Sequence, residues 1–591
     1  MSPKKTNFRK FCFSLLCCIG FSLSVAAQST FSTLVGTVTD PNGAVVSGAT
    51  VTVTNKGTTA TRTTTTDNVG NYIVPNVDSG EYQITIEAKG FRKVAVQSVK
   101  LLARETIRID SQLELSATTA ETVTITAGTV ITTETPTIAV TKTSRELLEL
   151  PVPFRASGST SPISTLTTQP GVQIDNSGGL SLAGSQRYST SVTIDGISTV
   201  SVRSNGPISE LFPSVESIAE IRVSQINNNA EFAQSGDITT ISKTGTNSFH
   251  GAGFLYHQNR ALNAADPFTT PNAATGIRPK PFRVSNNFGV TVGGPVTIPY
   301  LYNGRDKTFF FATYEGARLR QQSQRIFSVP PTAWRTGDLS SLLTLATPIR
   351  VKDPVTGLPF ADNKIPTNRI SPVATATLSL FYPQPNTGAA SVTQNNLSQL
   401  FPAPTDSNQF DVRIDQNLSE RQSVFGRYTW KNIKAQSFEN QILPPIGAVQ
   451  RPQKVWAFTG AYNFTIRANL FNEFRGGLSG RNVSKDFGSN GADIIKQLGL
   501  QGLSANLPTS PGVPNIGISG SGSSFTTTGI SRGFTTTDRT YQFLNNLTWT
   551  KGRHTVKGGV DFRRLSTTDL LSFTTGDDFG DFTFDGTITG N

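Results

Sequence analysis

The chain has 591 residues, with 52 Lys+Arg against 40 Asp+Glu and a formal charge of +12. Hydrophobic residues make up 36% and charged residues 16%, too few apolar residues for a helical membrane protein and too few charges for a typical disordered chain. Gly 52 and Phe 37, beside abundant Thr, Ser and Asn, point to many short strands and turns, so a mainly β protein is expected.

The N-terminus reads as an export signal. Lys4, Lys5, Arg9 and Lys10 precede the apolar run from Phe11 to Val25, and Ala26-Ala27 supplies small residues for cleavage before Gln28. The run is interrupted by Ser14, Ser22 and Ser24 and falls short of the ~20 residues of a membrane helix. Leu16 before Cys17 argues against a lipoprotein signal. All three cysteines (Cys12, Cys17, Cys18) lie in this segment, so no disulfide, thiolate metal site or cysteine nucleophile is expected after residues 1–27 are removed. No later segment has the length of a transmembrane helix, which leaves the periplasm, secretion or an outer-membrane β-barrel. The positive charge is spread along the chain, and no nucleic-acid partner is expected.

Residues 28–115 read as a β-sandwich. Leu34 to Asp40 alternates apolar and polar residues, followed by the turn Pro41-Asn42-Gly43; Ala49 to Thr54 alternates again; Thr66 to Asn71 is a turn before Tyr72-Ile73-Val74; and Tyr82 to Ile86 is a further strand. The runs GTVTDPNGAVVSGATVTV and TDNVGNYIVPNVDSGEYQITIEAKGF resemble the carboxypeptidase-regulatory-like domain, a transthyretin-like or starch-binding-like sandwich. No peptidase chemistry accompanies it: the histidines are His250, His257 and His554, and no H-E-x-x-H occurs, so no catalytic, cofactor or metal site is expected. Tyr72, Tyr82 and Phe91 fit the core of the sandwich better than a carbohydrate-stacking platform.

Residues 116–128 read as a Thr/Ala-rich linker. Within it, Glu121 to Ala127 (ETVTITA) is extended in character, suited either to an ordinary strand or to strand addition at a partner's sheet edge. Residues 129–247 then carry LTTQPGVQI from Leu166 to Ile174, Leu182-Ala183-Gly184, VTIDGI from Val192 to Ile197, SIAEIRV from Ser217 to Val223 and ITTISKTGTN from Ile238 to Asn247. This ordered series resembles the plug domain of TonB-dependent outer-membrane receptors. Pro170, Gly171, Val172, Gly184, Asp195 and Gly196 match its motif positions; the Arg that usually precedes the glycine at 184 is Ala183 here. Asp195-Gly196 is a strong turn signal, and Asp195 is expected to cap that turn rather than bind a substrate.

The remainder, 248–591, resembles the Oar-like subgroup through FHGAGFLYHQNRALNAAD (Phe249 to Asp266), FGVTVGGP (Phe288 to Pro295), DKTFFFATYEGAR (Asp306 to Arg318) and HTVKGGVDFR (His554 to Arg563). In that context Glu121, Thr122, Val123, Thr124, Ile125, Thr126 and Ala127 resemble the TonB box. The resemblance implies a TonB-type energy-transducing partner, outer-membrane lipid around the barrel and an extracellular ligand, with carbohydrate or peptide among the classes considered. Trp456, Phe458, Tyr462 and Phe464 share one strand face, as do Tyr541, Phe543, Leu547 and Trp549, and Val556, Val560 and Phe562. Such alternation fits a membrane barrel, but Asp411, Arg413 and Asp415 opposite Phe410, Val412 and Ile414 suit a wet lumen or bulk solvent equally well.

The expected architecture is therefore a sandwich, an α+β plug and the N-terminal part of a transmembrane β-barrel. A 22-strand barrel takes roughly 220 residues before loops, so residues 248–591 are expected to be a partial barrel of a C-terminally truncated chain. The expected function is uptake or handling of a large ligand at the outer membrane, without enzymatic activity. The alternative is a secreted or surface-attached β-sandwich adhesin or carbohydrate-binding protein.

Overall fold

The computed structural model describes residues 29–585 apart from 117–121, 127–133, 151–161, 175–178, 187–188, 202–205, 230, 233, 269–274, 279, 390–392, 439–447, 468, 487–490, 503–513, 521–522, 529–533, 552–553 and 571–579. The expected signal peptide, and Glu121 and Ala127, lie outside the described residues.

Nine strands form the N-terminal unit: β1 (Ser32–Thr39), β2 (Thr50–Asn55), β3 (Thr61–Thr65), β4 (Asn71–Val77), β5 (Gly80–Glu87), β6 (Lys93–Leu101), β7 (Thr106–Arg108), β8 (Ser111–Gln112) and β9 (Thr122–Thr126). One sheet runs β4-β1-β7 with β8 beside β1, the other β3-β2-β5-β6-β9. The period-2 pattern explains the layering, because Leu34, Val51, Val53, Ile84, Ile86 and Val96 all point into one core between the sheets. Tyr72 and Tyr82 are buried in that core, as expected, and the Tyr72 hydroxyl donates to the Ile109 carbonyl at 2.7 Å. The turn signals act through their carboxylates: Asp40 Oδ1 accepts from the Asn42 and Ala44 N–H groups, and Asp67 Oδ1 from those of Val69 and Asn71.

The second unit comprises β10 (Ile138–Thr143), β11 (Val172–Ile174), β12 (Leu180–Leu182), β13 (Thr190–Ile194), β14 (Ile197–Ser198), β15 (Ile218–Ile226) and β16 (Gly236–Ser242), with short helices at Ser144–Glu149 and Ile163–Leu166. Its main sheet has the order β10-β15-β16-β13-β14, and β13 and β16 are parallel. Leu147, Leu166, Val192, Phe212, Val223 and Ile238 form its core.

The third unit is a long-stranded meander. Its strands are β17 (His250–Asn259), β18 (Arg283–Pro295), the small hairpin β19 (Thr297–Ile298) and β20 (Tyr302–Asn303), β21 (Thr308–Phe327), β22 (Leu397–Pro402), β23 (Thr405–Ser419), β24 (Gln422–Phe438), β25 (Ala448–Arg467), β26 (Leu470–Lys485), β27 (Asn515–Gly520), β28 (Ser523–Ser524), β29 (Phe534–Lys551), β30 (His554–Leu570) and β31 (Asp581–Phe584). The sheet order is β17-β18-β21-β23-β24-β25-β26-β29-β30, every neighbour antiparallel, with β22 added beside the end of β21. Among the described residues β17 and β30 are not paired with each other. His250 and His257 both lie on β17, a wall strand.

The two faces of this wall settle what periodicity left open. Tyr428, Trp430, Trp456, Phe458, Phe543, Leu547 and Trp549 are exposed on the outer face, whereas Thr429, Lys431, Thr540, Gln542 and Asn546 are buried beneath the second unit. A soluble protein buries its apolar face; here the polar face is covered and the apolar face is left outside, as a bilayer requires. At the strand ends away from the sandwich, the connections between strands build an apolar cluster of their own, including Phe327, Phe381, Phe438, Leu498 and Phe525. Among the described residues no helix is long and apolar enough to cross a membrane.

Candidate functional site

The turn between β13 and β14 is the centre of the plug–wall contact. Asp195 (φ +48°) and Gly196 (φ +78°) are its two central residues, the pair of positive φ values that a type I′ hairpin demands and that Asp-Gly supplies. A Cβ on Gly196 would run into the Arg475 side chain, so close approach adds to the preference for glycine that its φ sets. The Asp195 carboxylate accepts from the Ser242 N–H and hydroxyl, both at 2.9 Å, which ties the turn to the end of β16.

The same carboxylate reaches the wall. Arg427 Nε donates to Asp195 Oδ2 at 2.6 Å, Arg413 Nη1 lies 3.5 Å from Oδ1, and Arg475 Nη1 donates to the Asp195 carbonyl at 2.5 Å. Asp195 thus does more than the expected capping of its own turn, because three wall guanidiniums converge on it. Arg413 is further paired with Asp415 at 2.7 Å, and Arg475 with Glu473. Elsewhere the wall also takes up plug backbone groups: Lys431 Nζ and Gln409 Nε2 both donate to the Phe212 carbonyl, the Ser214 N–H donates to Asp411 Oδ2 at 3.0 Å, and the Ser198 N–H to Gln542 Oε1 at 2.8 Å. These satisfied polar groups explain why a polar wall face tolerates burial. A cavity of about 620 Å³ opens beside the cluster, lined by Arg62 and Asp78 of the sandwich, Asp195 and Ser242 of the plug, and Arg413 and Asp415 of the wall.

The other motif residues sit at a distance from this contact, in the plug's small hairpin. The Pro170 carbonyl accepts from Gln225 Nε2 at 2.7 Å, Gly171 has φ +79°, and Val172 is buried opposite Leu182. Ala183 (φ +48°) and Gly184 (φ +76°) form the turn that follows, so the residues standing at the motif's missing Arg make a tight bend.

The sandwich is locked onto the plug by Arg104 and Glu220. Arg104 pairs with the buried Asp237, donates to Thr239 Oγ1 at 3.1 Å and stacks over the Phe232 ring at 3.4 Å. Glu220 Oε1 accepts from the Ala103 N–H at 2.9 Å, and burial pushes its carboxyl above the ordinary value despite that hydrogen bond. The sandwich also reaches the wall turns, with Phe31 packed edge-on against Phe471 and Thr59 Oγ1 donating to Asp306 Oδ1 at 2.6 Å.

The segment expected to be a linker contains an ordered strand: β9 pairs in parallel with β6, Val123 opposite Val94 and Ile125 opposite Val96. Thr122 to Thr126 alternates Thr with Val123 and Ile125, as a strand does, but nothing in that local pattern names β6 as its partner, so the sequence left the segment in the linker.

A family model described as the outer membrane beta barrel domain matches residues 241–591. The chain belongs to that family. The carboxypeptidase regulatory-like domain model matches residues 33–114. The chain is similar to "TonB-dependent transporter Oar" of Myxococcus xanthus, with 26% identity over 344 residues, which is 57% of this chain and 31% of that relative. It therefore spans about a third of that relative's length. Among solved structures it is similar to the outer membrane transporter YddB from Escherichia coli (TM-score 0.42, 12% identity, 73% of this chain and 48% of that one). It is also similar to the siderophore receptor PirA from Acinetobacter baumannii (TM-score 0.38, 11% identity, 72% of this chain and 47% of that one). The sequence matches bear out the Oar-like resemblance and the regulatory-like sandwich, and an outer-membrane barrel resides in the outer membrane.

Sequence reasoning missed the residues that hold the plug: Arg427 and Arg475 of this barrel, with Glu473 paired to Arg475, and, in the sandwich, Arg104. For the wall residues a signal existed. Glu473 and Arg475 alternate with the outward Phe474, as Arg427 does with Tyr428, so charge opposite an aromatic stripe marks the lumen face. Arg104 lies in a turn at φ +60° and carries no comparable pattern.

Proposed function

We propose that this chain works as a TonB-dependent outer-membrane receptor that takes up or handles a large ligand, with Glu121–Ala127 as the segment engaged by the energy transducer. In this reading residues 28–115 are the sandwich, 116–128 the connecting segment, 129–247 the plug and 248–591 the barrel, with Pro170, Gly171, Val172, Gly184, Asp195 and Gly196 shaping the plug. The observation that carries the reading is a folded plug seated on the polar face of a barrel wall, tied through Asp195 to Arg427 and Arg413. A wall closed by a separate module passes nothing unless the module moves, and an extended segment N-terminal to the module is where an external pull acts. The similarity to a TonB-dependent transporter supports the same reading. An adhesin has no use for a plug and gains no support from these matches. No catalytic step belongs to the proposal, and the ligand is left at the level of a large molecule, carbohydrate or peptide.

The test is site-specific photo-crosslinking from position 124 in intact cells. A product joining this chain to the periplasmic energy transducer is expected, and a crosslinker placed at the outward position 543 gives none. Absence of the product from position 124 contradicts the assignment.

A further inference from the structure

Among the described residues β9 is an edge strand, paired on one side only, with β6. Its whole length is paired with β6 in a continuous parallel register, Lys93 with Thr122, Val94 with Val123, Ala95 with Thr124, Val96 with Ile125 and Gln97 with Thr126. The chain entering the connecting segment is pinned to the start of β6 as well, since the Arg92 N–H donates to the Glu114 carbonyl at 2.8 Å and the Ser116 N–H to the Gly90 carbonyl at 3.1 Å. Among the described residues no strand pairs with the far side of β9.

In a strand the N–H and C=O groups of successive residues point alternately to the two sides, so an edge strand presents an unpaired row that templates another strand. Holding Thr122–Thr126 extended removes most of the conformational-entropy cost of ordering a free segment. A partner adding a strand to β9 therefore meets a pre-organised edge rather than a coil.

We propose that the sandwich presents the coupling segment: β9 stays on β6, and the transducer adds its own strand to the open side of β9, extending the five-stranded sheet across the two proteins. This rests on the reading of residues 121–127 as the coupling segment. It gives the sandwich a role in energy coupling, as a platform whose sheet the partner continues, and it requires no release of the segment before capture.

The experiment locks β9 in place. All native cysteines lie at positions 12, 17 and 18, so with those replaced by serine, Gln97→Cys with Thr126→Cys gives one in-register pair and Gln97→Cys with Thr122→Cys an out-of-register control. A disulfide in the first pair projects from the sheet face and leaves the backbone edge free. Full-length chain in detergent is oxidised and titrated with the transducer's periplasmic domain. The in-register pair is expected to crosslink and the control not, and the locked chain to bind severalfold more tightly than its reduced form. Failure of the in-register pair to crosslink overturns the docked strand. Crosslinking with loss of binding, restored by reductant, overturns presentation in favour of strand exchange. If the unlocked wild-type chain is not bound at all, the coupling reading itself fails and takes the presentation proposal with it.

Discussion

Asp195 on the plug and Arg427 on the wall form a buried ion pair, with Arg427 Nε 2.6 Å from Asp195 Oδ2 and each side chain 3% exposed. Neither charge has water to fall back on. Removing one partner of such a pair leaves the other uncompensated, at about 3–5 kcal/mol. Asp195→Asn is therefore expected to destabilise the plug–barrel unit by that order in urea titrations of the full chain in detergent. A double-mutant cycle with Arg427→Met should return a coupling of roughly 0.5–3 kcal/mol; additive effects would contradict the pairing.

Glu220 gives a pH dependence with a definite sign. Burial raises its carboxyl pKa in the folded chain, so the folded state holds the proton more tightly than the unfolded one. The cost of burying the charge is full above the folded value and disappears below the unfolded value of about 4.3. Glu220→Gln has no such titration. The stability of wild type relative to Glu220→Gln is expected to rise as pH falls from 8 to about 4, read from paired urea midpoints. A difference that stays flat, or falls, would contradict the buried carboxyl.

Arg104 is the second buried tie, this time between sandwich and plug. Arg104→Ala strands Asp237, whose side chain is fully buried, and is expected to cost about 3–5 kcal/mol at that interface. Limited proteolysis of the full chain should then release the sandwich sooner than in wild type. Arg104→Lys keeps the charge but loses the fork and the stacking on Phe232, so an intermediate rate is expected.

On the outer wall face the solvent is lipid. Phe543 is exposed there, two strands from Trp456, and Phe543→Arg places a charge in that lipid. The expected penalty is about 2–4 kcal/mol if the position is near the bilayer centre. It should appear in lipid vesicles, whereas Thr548→Ser on the plug-facing side should change stability by less than about 0.5 kcal/mol. An equal response at the two positions would mean the wall faces are misassigned.

Much of this architecture was legible from local pattern. Alternation in Leu34–Asp40 and Tyr82–Ile86, with Asp40 and Asp67 closing their own turns, specified the sandwich, because strands and turns are written in neighbouring residues. The Asp195-Gly196 hairpin was legible for the same reason. What Asp195 binds was not: Arg413, Arg427 and Arg475 lie more than two hundred residues away in sequence, on strands whose register brings them to the lumen. Periodicity showed that Asp411 and Arg413 share a face but could not say whether water or a plug covers it. β9 was read as linker because edge pairing runs through backbone groups, which leave no trace in side-chain identity.

The coupling role proposed for Glu121–Ala127 is read from the affinity of the full-length chain for the transducer's periplasmic domain. Proline cannot donate a ladder hydrogen bond, so Thr124→Pro combined with Ile125→Pro removes one donor from each side of the strand. Losing about 1.4 kcal/mol corresponds to tenfold in affinity, and a fall of at least about tenfold is expected for the double variant, with the urea midpoint of the plug–barrel unit unchanged. Equal affinity of wild type and the double proline chain would mean that this segment is not what the transducer binds.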